Sequence, residues 1–252
     1  MVYGIAKMLN FAHGDVIMVG AYAIYSTMAL NTNPFIAMAV AIVVCTVMGI
    51  VIEKFAYKPL RGASPLAVLI TAIGVSNLLQ GIAQLIYGST SIAFTVANFK
   101  TVHILGSEIS VGTILTLVVG AIIMIGLTLF VKKTRTGRAM LAVSEDSGAA
   151  RLMGVNVDKI IMLTFAIGSA LAAFASLFYI IRIPSVTPTL GAMPGIKAFT
   201  AAVIGGIGSI PGAMLGGILL GMIEQICKHN PTVEAYTTAI EFCLLIVILL
   251  VK

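Results

Sequence analysis

The sequence predicts an all-α fold, a polytopic transmembrane helical bundle with interrupted or re-entrant helices, and three observations carry that prediction. Hydrophobic residues make up 60% of the 252 residues and charged residues only 10%, with a mean hydropathy of +1.11. A soluble domain averages about 45–50% apolar and about 25% charged residues, so this chain lacks the polar surface to face water. Four uncharged runs, Pro34–Ile52, Leu66–Tyr87, Ile109–Val131 and Ile160–Ile181, are 19 to 23 residues long. A bilayer core of about 30 Å needs about 20 such residues per helix. Finally, five of the six net positive charges lie in two short loops between these runs: net +2 in residues 53–61 and net +3 in residues 132–159. Short loops rich in Lys and Arg stay cytoplasmic. Disorder, a nucleic-acid surface and a disulfide scaffold are excluded by the same arithmetic.

Taken in order, the chain begins in apolar sequence with no basic n-region, so no cleavable signal is predicted. Asn10-Phe11-Ala12-His13-Gly14-Asp15 leads into Val16–Leu30, an uncharged run of 15 residues. His13 and Asp15 are the ionisable pair of this block, and intramembrane ionisable groups are functional candidates by default. Asp15 is equally a good N-cap for a helix starting at Val16, its carboxylate suiting the positive helix end. Both readings stay open. In the run 66–87, Ser76, Asn77, Gln80 and Gln84 form a polar stripe that hydrocarbon would penalise, so it must face protein or water.

In the run 160–181, Thr164, Gly168, Ala172 and Ser176 recur every four residues, a stripe of small residues that reads as tight helix packing, with a substrate-lining role as the alternative. Ile196–Ile223 is apolar but broken by Gly205, Gly206, Gly208, Pro211 and Gly212. A half-helix through about Ile207, a turn over Gly208–Gly212 and a second helix are predicted. Irregular backbone at membrane depth survives only when buried in protein or lining a cavity, so this break marks the pathway or the packing core. Ala239–Val251 is a short last run with Glu241 inside it. Glu224, Glu234 and Glu241 show no pairing by spacing, and His103 and His229 fall in predicted loops. The whole chain, 1–252, reads as one transmembrane domain, and the apolar ends predict a segment truncated at both termini. Alternation from the basic loops puts 31–33, 88–108 and 182–195 outside.

Enzyme signatures are missing. Gly206-Ile207-Gly208-Ser209-Ile210-Pro211-Gly212 is one residue too long for the dinucleotide fingerprint, and no GK[ST], H-E-x-x-H or G-x-S-x-G occurs. The three cysteines suggest neither a metal site nor a disulfide framework. No cofactor or metal is expected, and ATP chemistry would have to come from another chain.

The second basic loop, 132–159, is the most informative. Ser144 is a candidate N-cap, Glu145 and Asp146 would fill a first turn, Arg151 the last, and Gly154 would end the helix at positive φ. A short capped helix there can transmit motion to a cytoplasmic partner. An ordinary solvated connector is the other reading.

Gly137-Arg138-Ala139, Glu145-Asp146 and Ala149 through Val157 resemble the coupling-loop pattern of bacterial ABC-importer permeases for branched-chain amino acids. Met8 through Asp15 and Gly195 through Ala213 resemble two further signatures of the LivH-type subunit, in the family's order. The resemblance implies one of two permease subunits in the bacterial inner membrane. Its partners would be an M-type permease, two cytoplasmic ATP-binding subunits and an extracytoplasmic solute-binding protein. It assigns ATPase coupling to Arg138, Glu145, Asp146, Ala149, Ala150, Arg151, Leu152, Met153 and Gly154. Pathway or broken-helix candidates are Asn10, His13, Gly14, Asp15, Asn77, Gln80, Gly205, Gly206, Gly208, Ser209 and Pro211. The same resemblance extends to permeases for urea or short amides. A stand-alone secondary transporter or channel is the alternative class, and it requires a buried ionisable coupling residue, for which Asp15 and Glu241 are the candidates.

Overall fold

The structure is a computed structural model, and it describes residues 2–8, 10–97, 99–104, 107–229 and 231–251. Leu9, within the N-terminal signature, the terminal Met1 and Lys252, and Asn98, Leu105 and Gly106 of the 88–108 loop lie outside the described residues, as does Asn230.

The chain opens with α1 (Val2–Ala6) and α2 (His13–Met28). Helix α3 (Pro34–Ile52) continues through one π turn and one 3-10 turn to Leu60, and α4 (Pro65–Tyr87) follows. Three short strands, β1 (Ile92–Ala93), β2 (Thr101–Ile104) and β3 (Ser107–Ser110), precede α5 (Val111–Lys133). Next come α6 (Arg135–Glu145), α7 (Ser147–Leu152), α8 (Val157–Arg182) and β4 (Ser185–Val186). The last part holds α9 (Ala192–Gly205), α10 (Ile210–His229), α11 (Pro231–Glu234) and α12 (Thr237–Val251). All four predicted uncharged runs fall in helices long and apolar enough to cross a membrane, and Ile210–His229 is a fifth. The starts follow from local chemistry: Asn33, Ser64 and Ser110 accept hydrogen bonds from the first-turn N–H groups of Phe35, Ala67 and Gly112. Pro34 and Pro65 occupy first-turn positions, where no N–H is needed.

Helices α2, α3 and α8 form the core, and small residues let them approach. A Cβ on Gly49 of α3 would stand 2.1 Å from Ser169 Oγ of α8, and one on Gly20 of α2 would stand 2.4 Å from Ser176 Oγ. The Ser176 hydroxyl donates to the Ile17 carbonyl at 2.6 Å, tying α8 to α2 where hydrocarbon offers no hydrophobic drive for association. The stripe of Thr164, Gly168, Ala172 and Ser176 is buried, as its spacing predicts. By contrast α5 packs along one narrow edge, with 6% of its apolar window buried.

The two ends of the bundle are fixed by contacts distant in sequence. At one end Arg61 binds Glu53 and, at 2.6 Å, Asp158 at the start of α8. At the other, β1 pairs antiparallel with β4, Ile92 opposite Val186, and Tyr87 stacks on Tyr22 and shares a hydrogen bond with Ser26. The two basic loops therefore lie together at one end and the 88–108 and 182–195 loops lie together at the other, the separation that alternation from the basic loops requires.

Several sequence expectations are corrected. Helix α2 begins at His13, not Val16, and no side chain caps it. Asp15 reaches instead across to α4, where Gln80 Nε2 donates to its carboxylate at 2.9 Å, because a buried carboxylate gains more from a donor on a neighbouring helix than a helix end already in turn geometry requires. The glycine break comes slightly early. Helix α9 stops at Gly205, the turn is Gly206–Ser209, and Pro211 and Gly212 sit in the first turn of α10. Gly206 and Gly208 take φ of +93° and +94°, so the chain turns where only glycine is unstrained. The cytoplasmic loop holds two helices instead of one. Ser144 lies inside α6, its hydroxyl bonded to the Leu141 carbonyl, and Glu145 closes α6; Asp146 is the N-cap of α7. His103 sits in strand β2 and His229 ends α10, instead of lying in loops.

Candidate functional site

The N-terminal block and the glycine break, at opposite ends of the chain, meet around one cavity of about 420 Å³. Asn10, His13 and Gly14 line it from the entry to α2, and Gly206, Gly208 and Ser209 from the turn between α9 and α10. Gly168, Leu171, Ala172 and Ala175 of α8 form another wall, with Phe199 and Ala202 of α9 and Leu127 of α5. The approach is close because the backbone is bare. A Cβ on Gly14 would lie 2.3 Å from the Gly191 carbonyl oxygen, and one on Gly195 would lie 2.9 Å from Gly14 Cα.

No Asp, Glu, Lys or Arg lines this cavity among the described residues; its polar side chains are Asn10, His13 and Ser209. Asn10 is held in place: the buried Tyr57 hydroxyl donates to Asn10 Oδ1 at 2.8 Å, and the Tyr57 ring rests on Phe165. His13 Nδ1 is buried without a hydrogen-bond partner among the described residues. The volume falls within the range of small-molecule pockets, about 300–1,000 Å³, which are mostly apolar with a few placed polar groups. Such walls can hold a small, net-neutral ligand with an apolar body.

Five of the eleven predicted pathway residues stand elsewhere. Asp15 and Gln80 bond to each other beside the cavity. Asn77 is exposed on the outer side of α4. Gly205 is packed against Gly212, a Cβ there reaching within 1.9 Å of the Gly212 carbonyl oxygen, and Pro211 turns α10 without lining the cavity.

Helices α6 and α7 of the second basic loop form a second constellation. Helix α6 is anchored by Met140 and Val143, both buried, and by Gly137, against which the Phe130 and Val131 carbonyls close. Asp146 accepts from the Gly148 and Ala149 N–H groups at 2.7 and 3.0 Å, starting α7. Those two N–H groups hold the Asp146 carboxyl below the usual carboxylate range. A lowered value means the cap is fully made above the ordinary carboxylate pKa and is lost only as pH falls through the lowered one. Asp146→Ala is expected to raise amide hydrogen exchange at Gly148 and Ala149 severalfold at neutral pH, with α6 unchanged; equal exchange in both proteins would remove the cap from the account. Helix α7 ends as the sequence predicts, with Arg151 in its last turn and Gly154 at φ +83°. Ala150 is buried, whereas Leu152 and Met153 are 90% and 84% exposed. Arg138, Glu145, Ala149 and Arg151 are exposed as well.

One cluster was not foreseen. Lys197 of α9 binds Glu224 of α10 at 2.8 Å and Glu241 of α12 at 3.2 Å, and Lys228 binds Glu224 at 2.6 Å. Glu241 is 2% exposed. The signal was available: Lys197, Glu224 and Glu241, charges within the apolar helices α9, α10 and α12, have little choice but to find each other.

The family described as branched-chain amino acid transport system / permease component matches residues 1–249. The high-affinity branched-chain amino acid transport system permease protein BraD of Pseudomonas aeruginosa is 43% identical over 266 aligned residues, covering 100% of this chain and 86% of that protein. The LivH permease proteins of Salmonella typhimurium and Escherichia coli K12 are each 41% identical with the same coverage. No solved structure matches the chain. The chain is a multi-pass membrane protein and belongs to the branched-chain amino acid transport system permease family.

Proposed function

We propose that this chain is a membrane-spanning permease subunit of an ATP-driven importer of the bacterial inner membrane, and that it carries branched-chain amino acids through the cavity between α2, α8 and the α9–α10 turn. The carrying observation is the convergence of the two signature blocks on that one cavity. A branched-chain amino acid is a neutral zwitterion with an aliphatic body, and the walls offer aliphatic and aromatic surface, three neutral polar side chains and no charge. ATP hydrolysis belongs to two partner subunits, with a second permease completing the pathway and a solute-binding protein delivering substrate.

Coupling runs through α6 and α7. Two large apolar side chains at the end of α7, Leu152 and Met153, stand clear of the core in a loop rich in charge, which supports a docking surface for an ATPase. ATP-dependent closure would then favour one of two bundle conformations, and substrate binds them with different affinities. The stand-alone transporter reading is less well supported. Asp15 and Glu241 are buried, but each is bonded to a neighbour and neither lines the cavity.

The test is leucine uptake into vesicles holding the full assembly. Gly168→Leu, which adds a side chain where a Cβ already lies 3.1 Å from Val2 and 3.5 Å from His13, is expected to cut uptake at least tenfold while the assembly stays intact. Met153→Glu is expected to release the ATPase subunits. Undiminished uptake in Gly168→Leu would remove the cavity from the pathway, and gradient-driven uptake without any ATPase would sink the reading altogether.

A further inference from the structure

At the cytoplasmic end of the bundle, apart from the cavity above, a second cavity of about 500 Å³ opens. Four parts of the chain wall it: the segment joining α1 to α2, the turn between α3 and α4, Val143 of α6 with Ser147 and Arg151 of α7, and the first turns of α8. Its charged lining is Lys7, Arg61 and Arg151, and no carboxylate lines it among the described residues. The nearby acids are engaged elsewhere. Glu53 and Asp158 bind Arg61, Asp146 caps α7, and Glu145 offers its backbone carbonyl to Lys7 Nζ. Even so, the Arg61 Nε–H is buried without an acceptor among the described residues.

That lining defines a ligand. Lys7 and Arg151 are lining cations with no carboxylate bonded to them among the described residues, and the Arg61 Nε–H adds one unused donor while its two terminal nitrogens hold Glu53 and Asp158. Such a lining suits an anion carrying no cationic group of its own, since a zwitterion would leave its ammonium unpaired in a cavity of this kind. The remaining walls are aliphatic, including Leu60, Val68 and Ile161, and the volume exceeds what a bare ion fills. The position narrows the choice. Pro65 and Val68 of α4 line the cavity, while Leu66 and Ile70 on the same helix are 63% and 61% exposed. The cavity therefore opens where cytoplasmic headgroups meet hydrocarbon, the level at which basic pockets between transmembrane helices take anionic lipids.

We infer that this cavity binds the headgroup of an anionic phospholipid of the cytoplasmic leaflet, its phosphate held by Lys7, Arg151 and the Arg61 Nε–H. Ser147 and Arg151 belong to α7, so a bound lipid joins α7 to the α3–α4 turn and to the segment before α2. Lipid composition thereby sets how firmly α7 is held. The inference does not depend on which substrate crosses.

Native mass spectrometry of the purified full assembly tests it, after incubation with vesicles of phosphatidylglycerol or of phosphatidylcholine. The wild type and Lys7→Arg are expected to retain phosphatidylglycerol preferentially, and Lys7→Gln to bind it about fivefold more weakly, as loss of one surface cation implies. A second variant, Ala63→Trp, occludes the cavity from the exposed turn without touching a cation, and it is expected to lose the lipid too. Equal retention of the two lipids by the wild type, or undiminished retention in both variants, would overturn the assignment. Displacement of phosphatidylglycerol by millimolar inorganic phosphate would also overturn it, marking a site for a free anion; resistance to phosphate supports the lipid.

Discussion

Replacing Gly205 by alanine is expected to force α9 and α10 apart. The new Cβ would lie 1.9 Å from the Gly212 carbonyl oxygen and 2.2 Å from its carbon, backbone atoms that no side-chain rotation can move. Gly212 meets the Gly205 carbonyl oxygen at 2.0 Å in the same way, so the hairpin is closed from both sides. Overpacking a dense interior costs typically about 1–3 kcal/mol, and a clash with backbone stands at the top of that range. The loss is therefore expected near 3 kcal/mol, read as a fall in the thermal midpoint of the purified assembly together with loss of transport. Gly221→Ala is the control, since nothing lies within 4 Å of its Cβ position. Equal destabilisation by the two substitutions would show that the close approach of Gly205 to Gly212 is not the cause, since the propensity gained from Gly to Ala acts in the opposite direction.

Lys197→Met is expected to have an effect of similar size for an electrostatic reason. It leaves Glu241, 2% exposed, without its cation, and Glu224 with Lys228 as its close partner. Removing one partner of a buried ion pair costs about 3–5 kcal/mol, mostly the penalty of the stranded charge. Lys197 is partly exposed, which argues for the lower end. The double variant Lys197→Met, Glu241→Gln removes that stranded charge and is expected to recover more than half of the loss. A double-mutant cycle with no coupling between the two positions would show that the contact contributes nothing.

Much of this architecture was legible. Uninterrupted apolar length located α3, α4, α5 and α8 because a bilayer imposes one scale on every spanning helix. The four-residue spacing in α8 located its buried face, and adjacent glycines located the turn between α9 and α10 to within a few residues. Cross-helix partners were harder. Asp15 read equally as a cap or a pathway residue because capping is decided within four residues, whereas its partner Gln80 lies on another helix and is fixed only by tertiary packing. The Ser144 error has the same origin. Ser144 and Asp146 are both good caps, and the choice fell to Asp146 because Met140 and Val143 bury α6 and extend it past Ser144. For the candidate site, six of the eleven pathway residues came together, but Leu127 of α5 carried no signal at all, being one leucine in an apolar run.

The guanidinium of Arg61 has a mechanical meaning. One side chain grips Glu53 at the end of α3 and Asp158 at the start of α8, so two of the longest helices share a fulcrum at the cytoplasmic surface. A push arriving through α7, whose last residue lies six before Asp158, would meet that fixed point and turn into rotation instead of sliding. Helix α8 has 26 residues, an arm of about 39 Å at 1.5 Å per residue. With α2 and α3 locked to it, a turn of about 5° would sweep its far end by about 3 Å, roughly the width of an aliphatic chain. A small stroke at the membrane surface would thereby be geared into an opening large enough to matter on the opposite face.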